Sequence, residues 1–539
     1  MKKRRLFIAF ITSLALCLSG CDLSDFPFDF GGASSSGATS STSESLISSG
    51  EQTSTSVSSV SSERTSSSSS SSSSQLTPNY VPLEIFAFND VHGNVKDTDG
   101  KGLGIAKTTT LLKELSKDKN SIFISQGDMW QGSVESNYTR GNLVTEWMNS
   151  LNFVSMTVGN HEFDWGPEVI SDNTQIASFP TLGINVINRS TNQRVDYLEP
   201  SVTFTRGEAK IGVIGAIGNC LSSISSSKVK GISFAYGNSL NRLVKQEAIR
   251  LRNEEHCDFI IYSLHGATYA TSSDDKIDQY DVSLSSGHYV DLVLEGHTHK
   301  QYAYLDNGGV YHLQCHGYNQ DFYKVSVNLD IANKKVEIDE PVSYDTSYAT
   351  SPYKNYLEDE ATNALFAKYY DNYVFAYENI GTISSSKSSV ELRRKIAELY
   401  YQEGVAKWGD QYDIILGGGY LTSRGLTLKA GTVNYSDLAN LFPFDNDIVL
   451  CASTGAQLKR TQFVSGGSNY YINWADDKSA DYNWDNNTTY YLVTDTYSSD
   501  YYTNPDYPPD ELEVIDVLEP NRYARDLLAD YIATGNWCD

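Results

Sequence analysis

Leu83-Glu84-Ile85-Phe86-Ala87-Phe88-Asn89-Asp90-Val91-His92 is an apolar run that stops in an amide, a carboxylate and an imidazole. A short apolar run bounded by polar residues has the length and composition of a buried strand. The same arrangement recurs four times downstream. Ser121–Ser125 runs into Gln126-Gly127-Asp128, and Val154–Val158 into Gly159-Asn160-His161-Glu162-Phe163-Asp164. Asp258–Leu264 runs into His265-Gly266, and Asp291–Leu294 into Glu295-Gly296-His297-Thr298-His299. Glycines beside most of these endings let the backbone turn sharply.

Working outward, Thr181–Val186, Lys210–Ile217, Gly309–Cys315 and Phe322–Leu329 are further strand candidates, the last alternating with the two-residue period of a half-buried sheet. Leu240, Leu243, Val244, Ala248 and Leu251 recur at helical spacing, and Ile105, Leu112 and Leu115 do so more weakly. Strands alternating with helices predict a layered α/β domain. In open α/β sheets ligands sit beyond the carboxyl ends of the strands. The polar residues at the five strand ends are therefore expected to converge in space.

Taken singly, each of these residues has an ordinary explanation. An Asp or Asn after a strand is usually a turn residue or helix cap, and a lone His is usually structural. Jointly they do not. The chain has nine histidines, and five of them fall in these segments. His256, His288, His312 and His316 fall outside and are read as structural. Imidazole, carboxylate and amide without thiolate suit manganese, zinc, iron or cobalt. The candidate ligands are more than one tetrahedral zinc needs. Two ions bridged by a carboxylate would use them all, lowering the pKa of a bridging water and neutralising phosphoryl oxygens.

The order D-x-H, GD, GNHE, H, GHxH is complete here and resembles the metallophosphoesterase superfamily over roughly residues 84–330. The resemblance implies that Asp90, His92 and His299 hold one divalent metal. Asn160, His265 and His297 hold a second, and Asp128 bridges the two. It also implies that His161 is a catalytic group outside the ligand set, meeting the phosphoryl or leaving group, with Asp164 as its partner. A carboxylate there would orient the ring and favour its protonated form. The implied fold is an N-terminal layered β-sandwich with flanking helices over 81–345, plus a smaller C-terminal α/β substrate-binding domain over 378–539.

Residues 346–377 read as a polar, tyrosine-rich linker with a connecting helix over Tyr356–Tyr370. Beyond it, a helix is expected near Val390–Gly404, a strand at Tyr412–Leu416 and a glycine turn at Gly417–Gly419. Strands are expected near Ile448–Cys451 and Tyr490–Thr494. GNHEFD followed by a second domain resembles the 5′-nucleotidase and UDP-sugar hydrolase group. Gly417-Gly418-Gly419, Arg424, Pro443-Phe444-Asp445-Asn446 and Thr454-Gly455-Ala456-Gln457-Leu458 continue that match in order. By this resemblance Phe444 stacks on a base, Asn446 contacts the nucleoside and Arg424 holds phosphate. Tyr497 is the expected second aromatic of the sandwich, and Arg393 and Arg394 are candidates for the upstream arginines. The match has gaps. Leu416 stands where an asparagine precedes the glycines, two extra residues precede Arg424, and Tyr497-Ser498-Ser499-Asp500-Tyr501 replaces a GGDG segment.

At the N-terminus, Lys2, Lys3, Arg4 and Arg5 precede an apolar stretch and Leu18-Ser19-Gly20-Cys21. Residues 1–21 read as a lipoprotein signal with Cys21 as the lipidated residue. Residues 22–80, rich in serine and threonine, read as a disordered tether. These features predict export and anchoring to the outer face of a bacterial membrane. The remaining cysteines are few and widely spaced, so no disulfide framework is expected. A net charge of −26 disfavours polymeric nucleic acid but not a small anion bound by metals or arginines. The expected activity is an extracellular dimetal 5′-nucleotidase, with nucleotide sugars as further substrates. The alternatives are a 2′,3′-cyclic-nucleotide phosphodiesterase or thiosulfate esterase on the same scaffold, and a catalytically inactive surface binding protein.

Overall fold

The computed structural model describes residues 77, 79–97, 101–267, 288–425, 427–500 and 512–537. The expected leader, Cys21, nearly all of the tether and Cys538 lie outside the described residues.

Strand β1 (Tyr80–Phe88) shows why its sequence has no polar face. Leu83, Ile85 and Ala87 are buried on one side, Phe86 and Phe88 on the other. A strand covered on both faces reads as a continuous apolar run. The chain then forms α1 (Ile105–Ser116), β2 (Ser121–Ser125), β3 (Ser155–Thr157) and β4 (Thr181–Leu182). Strands β1 to β4 are neighbours in order and all parallel.

A second sheet follows. It contains β5 (Ser201–Arg206), β6 (Ala209–Ile217), β7 (Phe259–His265), β8 (Leu292–Glu295), β9 (Tyr302–Leu305) and β10 (Tyr311–Gln314). Its order is β9-β10-β8-β7-β6-β5, parallel at the centre and antiparallel at both edges. Strand β11 (Asp321–Asp330) returns to the first sheet, antiparallel to β1, and pairs with β12 (Lys335–Ile338) and β13 (Val342–Asp345).

The inner faces of the sheets share one core. Leu83, Ile85, Ile122 and Ile124 meet Ile211, Val213, Phe259, Ile261 and Leu292. Thr157 Oγ1 and Ser263 Oγ, 2.7 Å apart, tie β3 to β7 across it. Phe86, Phe88 and Phe153 pack outward with Trp147. Helix α2 (Gly237–Asn253) covers the second sheet with Leu240, Val244, Ala248 and Leu251, the stripe legible in the sequence. The strand expected over Thr181–Val186 is broken. Val186–Asn188 joins a separate small sheet with Gln193–Arg194 and Ile232–Phe234. Asn185 causes the break, donating to the carbonyls of Ile217 and Ala235 and accepting from Ile217 N.

The connecting helix α3 (Glu360–Tyr373) begins at Asp359, whose carboxylate accepts from Thr362 N. Leu365, Phe366, Tyr369 and Tyr373 join the aromatic core of the first domain, so the helix is part of it rather than a free linker. The C-terminal domain starts with α4 (Ser389–Trp408), closed at its N-terminus by a Ser388/Glu391 capping box. Its sheet comprises β14 (Ile414–Tyr420), β15 (Ile448–Thr454), β16 (Tyr470–Trp474), β17 (Thr489–Asp495) and β18 (Glu513–Val517). The order is β16-β14-β17-β15-β18, and α5 (Ala524–Ala533) packs with α4 in the same core.

One local expectation is corrected here. Gly417–Gly419 is not a turn but the second half of β14. A Cβ at Gly417 would lie 2.1 Å from the Tyr401 nitrogen of α4, and one at Gly418 would lie 2.0 Å from the Tyr471 carbonyl. One at Gly419 would lie 2.4 Å from Ser498 Oγ. The glycines serve close packing of helix and neighbouring strand against β14.

Candidate metal and phosphoryl site

The structure brings the seven expected ligands together at the ends of β1, β2, β3, β7 and β8. His92 Nε2 is 3.0 Å from His299 Nε2, and Asp90 Oδ1 is 3.2 Å from His299 Nε2. His265 Nε2 is 3.0 Å from Asn160 Oδ1 and 3.3 Å from Asp128 Oδ2. His297 Nδ1 is 2.9 Å from the same Asn160 oxygen. Asp128 Oδ2 also lies 3.9 Å from His92 Nε2, placing its carboxylate between the two groups. Asp90, His92, Asp128, Asn160 and His265 are buried, and His297 and His299 are partly exposed.

The tautomers reveal what these atoms await. His92 Nδ1 faces the Gln131 carbonyl at 3.1 Å, and His265 Nδ1 faces the Gln126 carbonyl at 2.7 Å. A carbonyl only accepts, so each Nδ1 carries hydrogen and each Nε2 presents a lone pair. His265 Nε2 then points at the oxygens of Asn160 and Asp128, acceptor against acceptor. Asp90 Oδ1 is buried without a satisfactory hydrogen bond. Two ligands ~2.1 Å from one ion would themselves be roughly 3 Å apart, which is the spacing seen. The residues present therefore fit divalent cations. Burial lowers the His265 pKa, but the Asp128 carboxylate outweighs it and raises it to about 9, so this corner of the cluster favours a positive charge beside the ring. Burial, then the neighbouring His265 charge, pushes His297 down to about 4.

Local backbone conformation sets the ligand directions. Asp90, His92, Asp128, His297 and His299 all have positive φ, between 49° and 80°. Non-glycine residues in that region are uncommon and cluster at functional sites. Supporting groups hold them there. Asn89 bridges Asp90 Oδ2 and the Cys315 backbone, and His297 N donates to Asp90 Oδ2.

Glu162, quoted in the sequence motif but assigned no role there, is the chief support. Its carboxylate accepts from the backbone nitrogens of Asp128, Met129, Trp130 and Gly159 at 2.7–3.3 Å. It thereby fixes the turns after β2 and β3 together. Burial and the Asp128 charge raise its pKa to about 7, against the pull of the backbone donors. Cys220 is a second residue the sequence did not single out. Its thiol lies close to His265 and His297, and it donates to the His265 carbonyl at 3.5 Å.

His161 stands beside this cluster. Its Nδ1 is 2.8 Å from Asp164 Oδ2, and its backbone N donates to Asp128 Oδ1 at 2.8 Å. Its Nε2 meets Arg424 Nη2 at 2.9 Å. Burial disfavours the imidazolium, but Asp164 and Asp128 together raise the pKa despite Arg424. The contact itself requires the neutral ring, because guanidinium only donates.

The C-terminal candidates divide. Arg424 reaches His161, and its guanidinium lies 5.3 Å from the Phe444 ring. Phe444 lies 5.8 Å from His161, and Asn446 is half-buried two residues further on. Tyr497 lies at the start of the helical turn after β17. Its ring packs against Tyr420 at 6.1 Å and its hydroxyl donates to the Ser222 carbonyl. Arg393 is occupied with Ser389, Leu421 and Asn469, and Arg394 is exposed. Outside the site, His312 pairs with Glu295 and Asp306 as a structural histidine should. Cys220, Cys257, Cys315 and Cys451 are buried, and no disulfide joins any two of them.

Comparison with known proteins agrees with this geometry. Residues 83–301 match the calcineurin-like phosphoesterase family. The chain is 30% identical to an apyrase of Tabanus yao over 231 residues, which cover 40% of this chain and 39% of that protein. It is 24% identical over 429 residues to protein UshA of Yersinia enterocolitica, covering 70% of this chain and 75% of that one. In fold it resembles a putative 5′-nucleotidase from Staphylococcus aureus, with TM-score 0.62, 18% identity, and coverage of 85% of this chain and 98% of that one. The architecture is thus the two-domain one, a metallophosphoesterase domain followed by a C-terminal domain.

Proposed function

We infer that this chain, whose residues 83–301 match the calcineurin-like phosphoesterase family, is a hydrolase and specifically a dimetal 5′-nucleotidase. It releases phosphate from nucleoside 5′-monophosphates, with nucleotide sugars as further substrates. One observation carries this reading. Arg424 of the C-terminal domain meets His161 directly beside a cluster of metal-ligand atoms from the first domain.

Asp90, His92 and His299 would hold one ion, Asn160, His265 and His297 the other, with Asp128 shared. Bound there, two divalent ions supply Lewis acidity toward the phosphoryl oxygens and acidify the attacking water. Phosphoryl transfer otherwise needs positioning and charge stabilisation. His161 Nε2 faces the position of the transferred group and holds a proton for the departing oxygen. Asp164 keeps the ring oriented by accepting from Nδ1. Arg424 exchanges its contact with His161 for a phosphoryl oxygen. Phe444, alongside both, offers a ring face on which a base can stack, a contact worth ~1–3 kcal/mol. Asn446 follows it in position to meet the nucleoside, and Tyr497 is the candidate for a second stacking aromatic.

The test is phosphate release by protein stripped with chelator and reloaded with manganese, cobalt or zinc. AMP, UMP, UDP-glucose and 2′,3′-cyclic AMP are the substrates to compare. Turnover of AMP and UMP supports the reading, and turnover of the cyclic nucleotide alone replaces it with a phosphodiesterase. Turnover of none overturns it. The leader motif further supports export with Cys21 as a lipid anchor at the outer face of the membrane. A Cys21→Ala variant should leave the membrane fraction; unchanged partitioning refutes the anchor.

A further inference from the structure

Beside the metal ligands stands a group of residues that no sequence motif marks. Tyr318 follows β10, and its ring lies 5.3 Å from His92 and 5.2 Å from His299. Its hydroxyl accepts from Arg424 Nη1 at 2.9 Å. Lys101 Nζ lies 5.2 Å from the centre of the same ring. Two cations, Lys101 and Arg424, thus converge on one tyrosine at the flank of the site.

The lysine is held in place by its own backbone. The Lys101 carbonyl accepts from Tyr348 N at 2.8 Å, while Gly102 N donates to the Tyr318 carbonyl at 3.0 Å. Gly102 packs so tightly on the Asn319 carbonyl that a Cβ would lie 1.9 Å away. Tyr318 and Asn319 both have positive φ, and Tyr318 N donates to the Asp90 carbonyl at 2.7 Å. Lys101, Tyr318 and the first metal ligand are therefore one rigid unit.

Among the described residues Lys101 forms no ion pair. Glu135, whose charge acts on it, is already engaged by Lys96 at 2.9 Å and by the Tyr377 hydroxyl. Burial, then repulsion from Arg424, brings the Lys101 pKa down to about 8. Like charges held together in a half-buried place cost free energy that an anion between them would recover.

We propose that Lys101, Tyr318 and Arg424 form an anion subsite on the flank of the metal centre, which takes a second phosphoryl group joined by an anhydride bond to the one being transferred. The assignment rests on the phosphohydrolase reading and deepens it. Arg424 serves both groups. Lys101 serves only the second, so it tunes the preference for phosphoanhydrides over monoesters. Tyr318 is a positioning residue that holds Arg424 between them.

Two substrate pairs test this, each comparing a diphosphate with its monoester. One pair is ADP and AMP; the other, lacking any nucleoside, is pyrophosphate and p-nitrophenyl phosphate. Lys101→Gln should lower the ratio of kcat/KM for the diphosphate to that for the monoester at least tenfold in both pairs. Lys101→Arg should restore most of that ratio. Metal content and thermal melting of each variant establish that it is folded. Tyr318→Phe should lower kcat/KM about tenfold in the parent but by less than twofold in an Arg424→Gln background, as coupled residues require. An unchanged ratio in Lys101→Gln, or a parent that hydrolyses neither diphosphate, overturns the subsite. Hydrolysis of pyrophosphate and p-nitrophenyl phosphate without any nucleotide turnover would instead overturn the nucleotidase reading and leave the subsite standing.

Discussion

At the scale of single residues, His161 and Glu162 are neighbours with opposite duties. His161 directs its ring toward the reacting group, so His161→Ala should lower kcat by about 10²–10⁴ with metal content intact. Phosphate release and metal analysis on one preparation decide it, and full activity would remove the assigned role. Glu162 touches no substrate but holds four backbone nitrogens. Glu162→Gln turns one acceptor into a donor facing donors. It should weaken metal binding by roughly 10–100-fold, as loss of a ligand's support generally does. Titration of apoprotein with zinc measures this. His312 gives a pH signature. Burial opposes its charge, but Asp306 and Glu295 hold its pKa up at about 8. A histidine raised in the fold contributes stability that is complete below its unfolded value near 6.5 and is lost as pH rises through 8. The denaturant midpoint should fall across that interval by an amount equivalent to at most about 2 kcal/mol. His312→Gln should flatten the profile; an unchanged slope would dissociate His312 from it.

At the scale of elements, the sequence was most informative where burial is two-sided. An apolar run such as Leu83–Phe88 has no alternative to a central strand, and its abrupt polar end locates the site. Helix α2 was legible for a similar reason, since its stripe has only one sheet to cover. The glycines of β14 were misread because glycine has two uses. Sequence alone does not distinguish a turn that needs positive φ from a strand on which a helix must sit closely. Gly417→Ala tests the second use. Its Cβ meets the Tyr401 nitrogen at 2.1 Å, so backbone must shift at a cost of ~1–3 kcal/mol or more. Chemical denaturation should show this loss of stability, and wild-type stability would mean the helix can move away freely. Tyr318 and Lys101 were invisible for another reason. One tyrosine among thirty-seven carries no signal until the fold sets it against His92 and His299.

At the scale of the whole molecule, one carboxylate joins the two domains. Asp445, beside Phe444, accepts from Arg140 at 2.7 Å and Trp165 Nε1 at 3.1 Å in the first domain. It also pairs with the buried Arg525 of its own domain. Removing it leaves Arg525 buried without its counter-charge, which typically costs 3–5 kcal/mol. Asp445→Ala should therefore lower stability and release the first-domain contacts together. Arg140→Ala removes the interdomain ion pair and a guanidinium contact with Trp165 but leaves no buried charge unpaired, and should raise KM more than it lowers melting temperature. Steady-state kinetics beside thermal melting separate the two effects; equal loss in both variants would make the contact merely structural. None of this was legible beforehand. The PF-x-N resemblance directed attention to Phe444 and Asn446, whereas the aspartate between them couples the domains. Tyr497, expected from its position to stack on a base, packs against Tyr420 and donates to the Ser222 carbonyl.

The positive-φ ligands restrict any attempt to refit the centre for another metal. Asn, Asp and His are the side chains most at ease in that backbone region, and they are also oxygen and imidazole donors. A thiolate or a glutamate placed at 90, 92, 128, 297 or 299 would have to overcome the chain as well as satisfy the ion. Asn160, with φ of −70°, and His265, in regular β7, carry no such restriction. An engineer wishing to soften this site toward copper or cadmium would therefore start at those two positions, where the ligand alphabet is open.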